Sequence, residues 1–236
     1  MTEYGQFCPV AKATEILGDK WTVLILRELL LGSTRYSELQ RALSRISPTL
    51  LSKRLKMLEC KGLLVKKRAS GQRSAGYHLT PCGRELQPLI ESLAVWGMRW
   101  ARGRMSDDEL DVEFLMWDLQ RRLKTDRLPD GETVLCFHFD ELQKHKTWWM
   151  VANGGDVDLC TENPGREVDL YINSSVRILV EIWHGDISLE QARRDQGLRV
   201  HGQARLARSM KDWLGISPFS GIKPARPESS QDLHFH

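Results

Sequence analysis

The segment Ser47-Pro48-Thr49-Leu50-Leu51-Ser52-Lys53-Arg54-Leu55-Lys56-Met57-Leu58 constrains this chain more than any other stretch. Ser47 is a natural N-cap, because its hydroxyl can accept one of the backbone N–H groups left over at a helix start. Pro48 suits the first helical position, where a missing N–H costs nothing. Leu51, Leu55 and Leu58 then recur at helical spacing and form one apolar stripe. Thr49, Lys53 and Lys56 lie on the opposite face, with Ser52 at its edge. Such a helix rests on a body through its leucines and presents small polar and cationic groups outward. It is expected to stop near Lys61-Gly62.

The flanking sequence supplies that body. Val10–Leu17 reads as a short helix ended by Gly18. Trp21–Leu31 is a second, with Trp21, Leu24, Ile25, Leu29 and Leu30 available for a core and Gly32 as its stop. Tyr36–Leu43 is a third, with Leu39 and Leu43 on one face. After the capped helix, Leu63–Arg68 and Gly76–Leu79 read as a hairpin whose tip, Ala69–Ala75, is polar and carries Arg73. Thr80-Pro81 then opens a helix expected to run to about Trp100. Its apolar face is Leu86, Leu89, Ile90, Leu93, Trp96 and Trp100, a face suited to packing against a second subunit.

Charge divides the chain in the same place. Residues 1–104 hold 18 Lys+Arg against 8 Asp+Glu, a balance of +10, and residues 105–236 hold 16 against 23, a balance of −7. A polyanion partner for the first part alone is one explanation, and two solvated surfaces of complementary charge are the other. Three helices, a capped helix with a polar outer face and a cationic hairpin together meet the physical requirement for duplex DNA. The helix enters the major groove and the hairpin reaches the backbone or the neighbouring minor groove.

These residues resemble the HxlR group of winged helix-turn-helix regulators. The resemblance is carried by Cys8-Pro9-Val10, Leu17-Gly18-Asp19-Lys20-Trp21 and Ile25-Leu26-Arg27-Glu28-Leu29. It continues through Tyr36-Ser37-Glu38-Leu39, Ile46-Ser47-Pro48, Leu50-Leu51-Ser52-Lys53-Arg54-Leu55, Tyr77-His78-Leu79-Thr80 with Gly83, and Trp96-Gly97 with Trp100. It covers residues 7–102. It implies a homodimer built on the terminal helices and bound to a near-palindromic operator in double-stranded DNA, with reading helices about 34 Å apart. By that match Ser47, Pro48, Thr49, Ser52 and Lys53 contact base edges or the groove, and Arg35, Lys56 and Arg73 contact phosphates. For Lys56 the alternative is an ordinary solvated lysine. The resemblance also makes Cys8 a candidate thiol sensor, to be weighed against a half-buried small residue at the dimer interface.

Ala101–Ser106 is a basic, glycine-containing junction, and the organisation read from it is 1–104, 105–216 and a flexible tail over 217–236. The second segment reads as an amphipathic helix over Asp107–Lys124 and strands over Thr133–Phe139, Thr147–Ala152, Val157–Cys160 and Val168–Ile172. Turns at Gly154-Gly155-Asp156 and Asn163-Pro164-Gly165 separate strands. A helix over Ser188–Gln196, a strand over Leu198–His201 and a helix over Ala204–Leu214 complete it. Its order resembles the sterol carrier protein type 2 fold, through Val168–Ile172, Ile182–Gly185, Leu189–Ala192, Gly197–Gly202 and Ala204–Leu206. That resemblance implies a five-stranded sheet with helices around an apolar cavity. Trp148, Trp149, Tyr171 and Trp183 are the candidate pocket residues, and filling the core is the alternative for each. The fold class expected is α+β, an N-terminal winged helix-turn-helix followed by a mixed sheet with flanking helices.

No catalytic, metal or cofactor signature is read. His138, His145, His184 and His201 are scattered, and the five cysteines show no C-x-x-C spacing. The expected protein is a cytoplasmic, non-enzymatic regulator, a repressor, binding a DNA operator as a homodimer, with no membrane association. A second segment that senses a hydrophobic small-molecule effector or mediates assembly completes the reading. Its rivals are a redox regulator switched through Cys8 and a hydrophobe carrier without specific DNA binding.

Overall fold

The computed structural model describes residues 3–68, 75–102, 106–195 and 197–225, and the chain divides into two compact units, Met1–Leu93 and Ala94–His236. In the first unit α1 (Pro9–Leu17), α2 (Thr22–Leu30), α3 (Tyr36–Ala42) and α4 (Pro48–Cys60) are followed by β1 (Leu64–Lys67) and β2 (Gly76–Leu79). The strands pair antiparallel, Leu64 opposite Leu79 and Lys67 opposite Gly76. The core is the shared stripe of these elements: Ile25, Leu26, Leu39, Leu51, Leu55, Leu58 and Leu64 are almost wholly buried. Their apolar area removed from water is the main favourable term here.

Three sequence expectations change in this unit. The second helix begins at Thr22, because Trp21 holds φ +80° at its N-cap and cannot continue the α conformation. Leu24 is 39% exposed, since Ile25, Leu26 and Leu29 take the inward face of α2. The long helix after Thr80 is broken into α5 (Pro81–Arg84) and α6 (Gln87–Trp100). Pro88 explains the break: it has no N–H for the carbonyl of Arg84, and its ring would clash with that carbonyl. Along α6, Leu89, Leu93, Trp96 and Trp100 are exposed.

The second unit contains α7 (Val112–Arg122), β3 (Glu132–His138), β4 (Thr147–Asn153), β5 (Asp156–Cys160), β6 (Leu170–Ser174), α8 (Val176–His184), α9 (Leu189–Arg194), β7 (Leu198–Gly202), α10 (Ala204–Arg208) and α11 (Met210–Trp213). The sheet runs β5-β4-β3-β6-β7; only the central β3–β6 pair is parallel. One sheet face, through Leu135, Phe137, Trp148, Met150 and Ile172, joins the helices in the core around Trp213.

Here too the sequence reading shifts. The Asp107–Lys124 helix starts only at Val112, where Asp111 accepts the Phe114 N–H at 3.0 Å, and a 3-10 turn over Asp107–Glu109 precedes it. The strand expected over 168–172 lies at Leu170–Ser174. The helix over 204–214 breaks at Ser209, whose hydroxyl donates to the Arg205 carbonyl. Helix α8, over Val176–His184, is an element that the sequence pattern does not announce. Residues 217–225 of the expected flexible tail are placed: Ser217 is 2% exposed and its N–H donates to the Trp183 carbonyl at 2.9 Å. Residues 226–236 lie outside the described residues.

Candidate nucleic-acid interface

Helix α4 begins as its sequence dictates. Ser47 Oγ accepts the Leu50 N–H at 3.3 Å and Pro48 occupies the first turn. Leu51, Leu55 and Leu58 are each at most 1% exposed. Ser47, Pro48, Thr49, Ser52, Lys53 and Lys56 are all exposed, so one continuous polar and cationic face stands opposite the leucines. Arg35, at the N-cap of α3, is exposed as well, and its backbone N–H donates to Glu38 Oε2 at 2.9 Å. Arg73 lies outside the described residues.

Several residues position this face in a way that the sequence pattern does not reveal. The Tyr36 hydroxyl donates to the Pro48 carbonyl at 2.8 Å and lies 3.4 Å from Ser52 Oγ. Gln40 Nε2 donates to the Ile46 carbonyl at 2.9 Å, which fixes the turn between α3 and α4. Arg54 pairs with Asp19 and donates to the Lys20 carbonyl, tying α4 to the turn before α2. Thr80 caps α5 and donates to the Gly62 carbonyl at 2.7 Å, anchoring the hairpin base. None of these long-range partners leaves a trace in local periodicity. Lys66, Lys67 and Arg68 could have been found: they form a cationic run leading to the hairpin tip and are exposed. The Lys66 ammonium lies 5.4 Å from the Tyr77 ring centroid, a stabilising cation–π contact.

Residues 16–105 match the model of the HxlR-like helix-turn-helix family. The HTH-type transcriptional regulator YvaP of Bacillus subtilis is 38% identical over 99 residues, covering 41% of this chain and 91% of YvaP. The chain belongs to the HxlR-like helix-turn-helix family. Among solved structures, the redox regulator HypR in its oxidised form is 28% identical, with 38% of this chain and 94% of HypR covered and a TM-score of 0.36. The reduced form of the regulator YodB from B. subtilis is 27% identical, with 42% and 98% covered and a TM-score of 0.37.

The HxlR-like match thus contains α2 to α6 with the hairpin, and Cys8 precedes it. Cys8 is the half-buried N-cap residue of α1 and makes no side-chain capping bond. Lys12, one turn on, is engaged elsewhere: its ammonium pairs with Glu15 at 3.0 Å. The second unit from residue 106 onward lies beyond the family match. Its four pocket candidates do not converge. Trp148 and Trp149 are neighbours on β4 and so face opposite sides of the sheet. Trp148 is buried in the core with Nε1 on the His145 carbonyl at 2.8 Å, while Tyr171 is 44% exposed. Trp183 meets Phe114 edge-on and donates to Asp118 at 2.8 Å. Trp149 and Tyr171 flank Cys136 on the sheet face away from the core, through the pairings Cys136–Trp149 and Cys136–Tyr171. Among the described residues no group of three or more His, Cys, Asp or Glu is placed to hold a metal ion. No helix there is long and apolar enough to cross a membrane.

Proposed function

We propose that this protein is a sequence-specific DNA-binding transcription regulator that acts as a homodimeric repressor in the cytoplasm. The observation that carries the proposal is the exposed face of α4: Thr49, Ser52, Lys53 and Lys56 stand clear of the protein on a helix pinned by three buried leucines. Ser47, Pro48, Thr49, Ser52 and Lys53 meet base edges or the groove, and Arg35, Lys56 and Arg73 meet phosphates. The balance of +10 over residues 1–104 supports the electrostatic part of this assignment. The exposed apolar row Leu89, Leu93, Trp96 and Trp100 on α6 supports the dimer, because an uncovered stripe of that kind is costly in water. Residues 1–104 carry DNA binding and dimerisation. Residues 105–216 carry sensing of a hydrophobic effector, which releases DNA by binding better to the form that cannot span both half-sites.

Footprinting on the DNA upstream of the protein's own gene, with gel shifts at two salt concentrations, tests the reading. A protected near-palindrome whose binding survives physiological salt is expected. Equal, salt-labile binding to any duplex would instead favour a hydrophobe carrier.

Cys8 motivates a second reading, a thiol-switched regulator, since its thiol is in no disulfide and remains partly accessible at the N-cap of α1. Diamide treatment should then abolish the gel shift in the wild type and leave Cys8→Ser unaffected. DNA binding by fully oxidised protein would reject the switch.

A further inference from the structure

A cleft in the second unit has a volume of about 780 Å³ and is formed by the end of α7, the turn between α8 and α9, α11 and the chain that follows it. That size fits a drug-sized organic molecule. Its charge is unexpected. Residues 105–236 are acidic overall, with a balance of −7, yet four cations line this one cleft: Arg121, Arg122, Lys124 and Lys211. Glu190 is the single carboxylate in the lining. It is already engaged by its own backbone N–H and by the Ser188 hydroxyl, which hold its carboxyl below the usual range.

The two arginines are held in place from behind. Asp118, 2% exposed at its side chain, accepts Arg121 Nε at 2.8 Å and Arg122 Nε at 2.5 Å, and its Oδ2 also accepts Trp183 Nε1 at 2.8 Å. Asp118 thus meets Arg122 through Nε, and among the described residues the two terminal nitrogens of that guanidinium make no hydrogen bond. Among the described residues the ammonium groups of Lys124 and Lys211 make no hydrogen bond or ion pair, and Lys211 acts on Glu190 only through the field that helps lower its carboxyl pKa. Beside Ser188 and Ser220 the lining has an apolar part: Ile187 and Leu189 are half-buried and Ile216 is 42% exposed, over a floor that includes Ile182 and Leu214. Gly215 lets the chain cross the end of α7, since a Cβ there would stand 2.2 Å from the Arg122 carbonyl oxygen.

We infer that this cleft binds an organic anion with an apolar body and a carboxylate head. The isoleucines and leucines take the body, and Arg122 with the lysines takes the head through charge-assisted hydrogen bonds. The inference deepens the effector-sensing reading of the second unit and rests on it: the effector is an apolar carboxylate rather than a neutral hydrophobe.

The test is equilibrium dialysis of the full-length protein with octanoate and 2-naphthoate, each beside its neutral alcohol. At least one carboxylate should bind saturably and about tenfold or more tighter than its alcohol. Lys124→Gln with Lys211→Gln should weaken it about tenfold, and Ile216→Asp, a change at a partly exposed position, should abolish it while thermal melting stays unchanged. Equal uptake of acid and alcohol, failure of both carboxylates to bind, or full binding by these variants would overturn the proposal. Gel shifts of the same proteins without carboxylate report on DNA binding alone, so failure of the regulator reading is seen separately.

Discussion

The Tyr36 hydroxyl donates to the Pro48 carbonyl at 2.8 Å, so the start of α3 is bonded to the first turn of α4. This bond sets the angle at which the polar face of α4 leaves the body. Tyr36→Phe removes the donor and leaves the ring. It should cost about 1 kcal/mol in urea unfolding. It should also lower operator affinity by a similar factor, because the base-contacting turn is no longer fixed. A variant that loses stability but keeps full affinity would show that the bond serves folding alone.

Lys53 and Lys56 lie one position short of a full turn apart on the exposed face of α4, and the proposal gives them different work. Lys53→Ala should weaken the specific operator by about 1–3 kcal/mol and leave non-specific duplex less affected. Lys56→Ala should weaken all duplexes alike and reduce the slope of log affinity against log salt by about one. Gel shifts across a salt series separate the two. An unchanged slope in Lys56→Ala would return that residue to the solvated surface.

Legibility from sequence follows from how local each determinant is. Helix α4 is readable in full, since Ser47, Pro48 and the leucine stripe all act within one segment. The β1–β2 hairpin is readable for the same reason. Pro88 marks the break before α6, yet the continuous row from Leu86 to Trp100 masks it. Helix α8 escapes because Val176, Leu179, Val180 and Ile182 are residues that also suit a buried strand, although Ser175 caps it by accepting the Ile178 N–H at 3.2 Å. The parallel pairing of β3 with β6 joins residues 35 positions apart, such as Leu135 and Leu170, and no local pattern encodes it. The cationic cleft is equally hidden: Arg122 and Lys211 share it only after the sheet has brought α7 and α11 together.

Asp118 accounts for a large single-site cost in the second unit. It is the shared acceptor of Arg121, Arg122 and Trp183, and the arginine side chains are 18% and 22% exposed. Asp118→Ala strips three donors of that acceptor at once. Removing one partner of a largely buried charge pair costs about 3 kcal/mol or more. Asp118→Asn keeps the shape and part of the hydrogen bonding and should cost less. Urea midpoints of the two variants test this, and a loss near zero in Asp118→Ala would place the network on the surface.

His184 should make the second unit acid-sensitive. Burial pushes its imidazole pKa below the ordinary 6.5; Asp186, 3.9 Å away, opposes the shift and Arg102 adds to it. With the folded value below the unfolded one, the unfolded chain binds more protons once the pH drops under about 6.5. The stability is therefore complete above that pH and declines as the pH falls through the folded pKa. His184→Gln should flatten the difference between unfolding at pH 7.5 and at pH 5.5. An equal decline in wild type and variant would assign the acid sensitivity to other groups.

The cysteines should separate by reactivity, which bears on any test of Cys8. Burial pushes the Cys136 thiol up to about 11, and the residue is 4% exposed between Trp149 and Tyr171 on the sheet. Thiolate is the reactive form, so Cys136 should resist alkylation at pH 8 until the protein unfolds. Cys60 and Cys82 are exposed and should label first; Cys8 and Cys160 are half-buried and should follow. Timed iodoacetamide labelling read by peptide mass spectrometry gives the order. Fast labelling of Cys136 in native protein would mean that the sheet face around it opens in solution, and oxidant effects on DNA binding could then no longer be ascribed to Cys8 without a Cys136→Ala control.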